Sequence, residues 1–116
     1  MTEQEIIYTM ALTRVPRVNT AAQHRLMEEA GSASAVFDHR HHIRDFYPEA
    51  SDKLSAALQE MEVQVARAEE ELEFTRKHHI KCLCYHDTDY PSRLRECDDA
   101  PLLLYYKGNA DLNRTH

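Results

Sequence analysis

The chain has 116 residues, of which 42% are apolar, with two glycines, four prolines, three cysteines and a formal net charge of −6. That length suits one domain with an appendage, and no apolar run approaches the roughly 20 residues of a membrane span. Thr2, Glu3, Gln4 and Glu5 stand where a signal peptide would begin with basic residues, and three cysteines make no disulfide framework, so a reducing cytoplasm is the expected location.

Thr2-Glu3-Gln4-Glu5 has the form of a capping box, a Thr at the cap and a Glu three residues on. Ile6, Ile7, Met10 and Ala11 follow at helical spacing, which predicts a helix over 3–12. Thr13 to Asn19 reads as a turn with Pro16 at its centre. Thr20-Ala-Ala-Gln23 offers a second capping box, Leu26, Met27 and Ala30 form the apolar side of the next helix, and Gly31 suits a left-handed C-cap. Ser32 opens a third helix in which Val36 and Phe37 pack down.

His39 to Tyr47 is the most cationic stretch, and it reads as a solvated face on a short helix with Ile43 and Phe46 inward. Pro48 ends it, and Ser51 caps an element holding Lys53, Leu54, Ala57 and Leu58. From about Ala56 to His79 there is no Gly or Pro, and Leu58, Met61, Val65, Ala68, Leu72, Thr75 and His79 keep a 3-4 spacing. That is a heptad-like seam. Val63, Ala66 and Phe74 broaden it into the wider stripe of a bundle helix. The stretch reads either as the long helix that closes a helical domain or as an oligomerising surface. Arg76-Lys77-His78-His79 puts cations where they complement the helix dipole.

Ile80 to Tyr85 reads as a strand, with Cys82 and Cys84 on one face. Tyr90-Pro91 opens a helical turn with Leu94 as its apolar side. Asp98-Asp99-Ala100-Pro101 stops that turn, and the residue before Pro101 is pushed to extended geometry. Leu102 to Tyr106 is then an apolar strand, and Lys107-Gly108 turns out of it.

Tyr-Pro-x-x-Leu, an acidic pair, then Pro-x-x-Leu-Tyr-x-x-Gly are carried here by Tyr90, Pro91, Leu94, Pro101, Leu104, Tyr105 and Gly108. This pattern resembles the entry into the Rossmann-like domain of the DprA family of DNA-processing proteins, also called Smf. The order helix, short hairpin, helix, then Gly-Ser-x-x-x-Val-Phe likewise resembles the helix-hairpin-helix or sterile-alpha-motif unit that precedes that entry. The resemblance implies a mainly α protein: a small helical domain over 1–79, then over 80–116 the first strands and polar connector of a truncated Rossmann-like domain. It implies the N-terminal part of a protein that binds single-stranded DNA without chemistry and helps load a RecA-type recombinase in natural transformation. Most DNA contacts would then lie beyond these residues. A strand left unpaired at an edge in residues 80–108 would pair with another chain, so a homodimer through that segment is a further expectation.

In a helix-hairpin-helix unit, backbone N–H groups of a glycine-rich hairpin hold a phosphate. The hairpin here, Val15-Pro16-Arg17-Val18-Asn19, has no glycine, and Pro16 removes one donor. It reads as a solvated turn or as a phosphate contact made through side chains. Residues 1–47 hold five Arg against six Asp/Glu, and residues 48–116 hold nine Lys/Arg against fourteen. Nucleic-acid binders are usually basic, so DNA contacts belong to the first portion and are weak. The candidates are Arg14, Arg17, Arg25, Arg40 and Arg44, each as a phosphate-facing cation. The alternative is a helical adaptor with no nucleic-acid role. Zinc on Cys82 and Cys84 with the nearby His78, His79 and His86 fits poorly, since Cys-x-Cys lacks the usual spacing. Buried cysteines packing as small apolar residues fit better. Neither a cofactor nor a catalytic set is expected, because no nucleophile and base share a recognisable context.

Overall fold

The computed structural model describes residues 2–107. It is mainly helical, with a two-stranded antiparallel sheet at the C-terminal end. In chain order the elements are α1 (Glu3–Arg14), α2 (Thr20–Ala30), α3 (Ala33–Asp38), a 3-10 turn (Ile43–Asp45), α4 (Asp52–Gln59), α5 (Met61–Lys77), β1 (Ile80–Cys84), α6 (Ser92–Arg95) and β2 (Leu103–Lys107).

Helix α1 sits at the centre, packed against α5 and α3. Its consecutive residues Thr9, Met10, Ala11 and Leu12 are all buried, which only a helix covered on several sides can show. Thr2 caps it as the sequence predicts, its hydroxyl accepting from the Glu5 amide at 3.2 Å. Glu5 does not close the capping box. Its carboxylate accepts instead from the Ser34 amide at 3.0 Å, so one acid supports the N-terminus of α3, whose cap is Ser32. The start of α2 also departs from its predicted cap. Asn19, not Thr20, caps it, accepting from the Ala22 amide at 2.8 Å, while the Gln23 side-chain amide donates back to the Val18 carbonyl at 3.1 Å. Gly31 ends α2 at φ +100, the left-handed conformation that glycine adopts without steric cost.

The predicted long helix is two helices. The chain turns at Glu60, where φ −95 and ψ 15 leave the α region. Leu58 and Met61, on either side of the turn, are both fully buried. Helix propensity is only a weak prior, and it does not carry one helix through this turn. The 3-4 seam is the core-facing side of both helices: Leu58, Met61, Ala68, Leu72 and Thr75 are buried, and His79 at its end is exposed. Val63, Ala66 and Phe74 do not broaden that side. Val63 is 53% and Phe74 55% exposed, and Ala66 is exposed as well.

Strands β1 and β2 pair antiparallel, with Cys82 opposite Tyr105 and Cys84 opposite Leu103. The Tyr85 amide extends the ladder to the Leu102 carbonyl at 2.8 Å. Cys84, Leu102 and Leu103 belong to the same hydrophobic core as Met10, Leu26 and Leu58. The helical part and the strands therefore share one apolar interior. Gly108 and the 109–116 connector lie outside the described residues.

Candidate nucleic-acid interface

Each of the five arginines named above has a defined place. Arg14 ends α1 and reaches Glu71 of α5, Nη2 to Oε1 at 2.5 Å and Nε to Oε2 at 3.3 Å. The Tyr105 hydroxyl donates to the same carboxylate at 3.0 Å. This contact holds the Arg14 guanidinium above its ordinary pKa. Although 45% of Tyr105 is exposed, its hydroxyl end faces Glu71, and burial together with that carboxylate pushes the phenol well above its usual range.

Arg25 pairs with Glu49 at 2.7 Å and lies over the Tyr47 ring at 4.9 Å. Arg44 pairs with Asp52 at 2.6 Å and donates to the Ala50 carbonyl at 3.1 Å. Both therefore converge on the 47–52 segment. Arg40 pairs with Glu62 at 2.5 Å, donates to the Phe37 carbonyl at 2.9 Å and covers the Phe37 ring at 4.1 Å. Its side chain is only 16% exposed. Among the described residues, Arg17 alone of the five has no ion pair. It is exposed, in the turn between α1 and α2, at φ 68.

These cations do not form one stripe. Arg14 and Arg40 both meet α5, but at Glu71 and Glu62, which are about 13 Å apart at 1.5 Å per residue. Four of the five carry a carboxylate partner, so a phosphate has to displace it. The more exposed pairs, those of Arg14, Arg25 and Arg44, contribute at most about 1 kcal/mol each, which an incoming phosphate can match.

The motif stretch is organised differently. Tyr90 is 1% exposed, and its hydroxyl donates to the Pro101 carbonyl at 2.7 Å. Burial raises its phenol pKa. Arg95 of α6 donates to the carbonyls of Tyr85 and Asp87 at 3.1 and 2.6 Å. Its guanidinium lies 5.8 Å from the Tyr85 ring centre and 5.4 Å from that of Tyr90. The Asp87 carboxylate accepts from the Cys84 amide at 2.8 Å. His24 of α2 then joins the stretch to the helices. Its Nε2 is 2.5 Å from the Ala100 carbonyl, which can only accept, so that nitrogen carries the proton. The His24 ring also meets the Tyr85 ring edge-on at 4.5 Å. Of the motif side chains, Leu94, Pro101 and Leu104 are half-buried and Pro91 precedes α6. The motif thus builds a clamp.

Sequence reasoning missed His24, Arg95 and Asp87. For Arg95 the signal was a cation in an aromatic-rich stretch, and for Asp87 an acid just after a strand. Nothing local marks His24, whose partners lie more than sixty residues away. The Cys84 thiol is pushed up to about 12, chiefly by burial, which fits its packing as an apolar group. Among the described residues, no three His, Cys, Asp or Glu side chains gather as a metal would need. No helix of the described residues is long and apolar enough to cross a membrane.

The class these features define is a mainly helical unit clamped onto the start of a strand-bearing segment. That segment is the part of the chain that is similar to a known family. Residues 81–116 match the family model described as DNA recombination-mediator protein A. The match covers less than a third of the chain but includes the whole Tyr90–Gly108 motif. No curated protein and no solved structure matches the chain.

Proposed function

We propose that this chain is the N-terminal accessory part of a recombination mediator that binds single-stranded DNA and passes it to a RecA-type recombinase in the cytoplasm, without catalysing a reaction. The observation that carries the reading is the family match beginning at β1, on a segment that His24 and the shared core tie to the helices. The helical unit acts mainly as a positioning element for the segment beyond β2. Its own DNA contacts are weak and start at Arg17. Arg14, Arg25 and Arg44 join by exchanging Glu71, Glu49 and Asp52 for phosphate, and Arg40, largely buried, contributes least.

A second reading, a helical adaptor without a nucleic-acid role, is favoured by the net charge of −6 and by those carboxylate partners. Fluorescence anisotropy of the 116-residue chain with single-stranded DNA across a salt series separates the two. Each phosphate contact contributes a slope of about −0.7 in log affinity against log salt. A slope near −2 to −3 that shrinks on Arg14→Gln and Arg17→Gln supports direct contact. Absence of binding at low salt supports the adaptor.

A further inference from the structure

Helix α5 has a second side that no described element covers. Val63, Arg67, Glu70 and Phe74 are all exposed, and at 100° per residue they fall within an arc of about 60°. This stripe lies opposite the buried Met61, Ala68 and Leu72. Val63 and Phe74 are two of the three large apolar side chains exposed among the described residues. Arg67 and Glu70 have no ion pair there, and neither do the exposed Glu60 and Lys77 at the helix ends.

The order of these residues is self-complementary. Val63 with Phe74, Arg67 with Glu70, and Glu60 with Lys77 are three pairs with one common midpoint, between Ala68 and Glu69. We infer that this face of α5 binds a second copy of the molecule, forming an antiparallel helix pair with the two-fold axis at that midpoint. A two-fold interface needs a patch that complements itself on rotation. In this register each Phe74 meets the partner's Val63, a large residue facing a small one. Each Arg67 meets the partner's Glu70, and each Glu60 the partner's Lys77. The symmetry doubles every contact, so one apolar and two charged pairings become six.

Charge complementarity is what selects a second copy over an unrelated partner. The alternating order along the stripe, acid, apolar, base, acid, apolar, base, is its own complement when reversed. The stripe from Val63 to Phe74 is about 16 Å long, short beside an interface of about 1,600 Å². The dimer is therefore weak, and it weakens further at high salt as its charges are screened.

Sedimentation equilibrium of the 116-residue chain tests this. Arg67→Glu and Glu70→Arg alone each set like charges opposite one another across the axis, and each should weaken association about tenfold or more. The double variant carries the same pairs reversed and should recover association to within about threefold of the parent. An equimolar mixture of the two single variants should associate more tightly than either alone. All these positions are exposed, and circular dichroism confirms that the variants fold. A parent protein that stays monomeric near 1 mM overturns the inference and leaves the face to a different protein. A dimer indifferent to the reversals, or one the double variant fails to restore, overturns it too, and points to another surface such as the sheet edge.

Discussion

Tyr90→Phe removes one atom from the clamp. The ring is buried, and its hydroxyl donates to the Pro101 carbonyl at 2.7 Å. Pro101 is half-buried and its carbonyl has no other hydrogen bond among the described residues. Phenylalanine keeps the ring packing and leaves that carbonyl without its partner, which costs about 1–2 kcal/mol. At about 4 °C per kcal/mol for a protein of this size, the melting temperature falls by about 4–8 °C. Tyr90→Ala removes the ring as well and costs about 3–5 kcal/mol. Tyr8→Phe is the control, because the Tyr8 hydroxyl meets an exposed Gln4 amide at 3.4 Å; it should change stability by less than about 0.5 kcal/mol. Thermal unfolding followed by far-ultraviolet circular dichroism gives all three values. Hydrogen exchange at the Tyr85 amide, bonded to the Leu102 carbonyl, reports whether the loss is local. If Tyr90→Phe is as silent as Tyr8→Phe, the hydroxyl holds nothing and the clamp rests on ring burial alone.

Two further outcomes follow from backbone conformation and from burial. Gly31 and Arg17 both have positive φ, +100 and 68. Gly31→Ala, with nothing within 4 Å of the added methyl, should destabilise by about 1–2 kcal/mol through the backbone alone, and Arg17→Gly should leave stability unchanged or raise it by up to about 1 kcal/mol; a loss of stability for Arg17→Gly in urea unfolding would contradict this. The Cys84 thiol, pushed from 9.0 to about 12 by burial, keeps its proton in the folded protein at a pH where the unfolded state has lost it. Its contribution is complete below pH 9 and falls by about 1.4 kcal/mol per pH unit above it. Urea unfolding at about pH 8, 9 and 10 should show a steeper decline for the parent than for Cys84→Ala, and equal slopes would count against burial as the cause.

Local chemistry was largely legible in the sequence. Thr2, Ser32 and Ser51 cap their helices as predicted, because a short hydroxyl side chain can reach an amide three residues on without help from elsewhere. Gly31 ends α2 in the left-handed region for an equally local reason. The seam from Leu58 to Thr75 marks the buried side, since helical spacing alone puts those residues on one face. The motif from Tyr90 to Leu104 carries the family resemblance and forms the predicted turn and strand.

Tertiary structure decided what distant groups do for one another. Glu5 leaves its own capping box for the amide of Ser34, because α3 brings an orphan donor to it. The chain turns at Glu60 within a stretch free of Gly and Pro, and Leu58 and Met61 on either side of the turn are both buried. Arg14, Arg25, Arg40 and Arg44 look like free cations in the sequence and meet carboxylates that only the fold brings near. His24 reaches Ala100 for the same reason. Capping, turn chemistry and helical spacing act over three or four residues and can be read from the sequence. Which charge finds which, and which carbonyl finds a donor, depends on contacts between residues far apart along it, and the packing of α1, α5 and the sheet sets those.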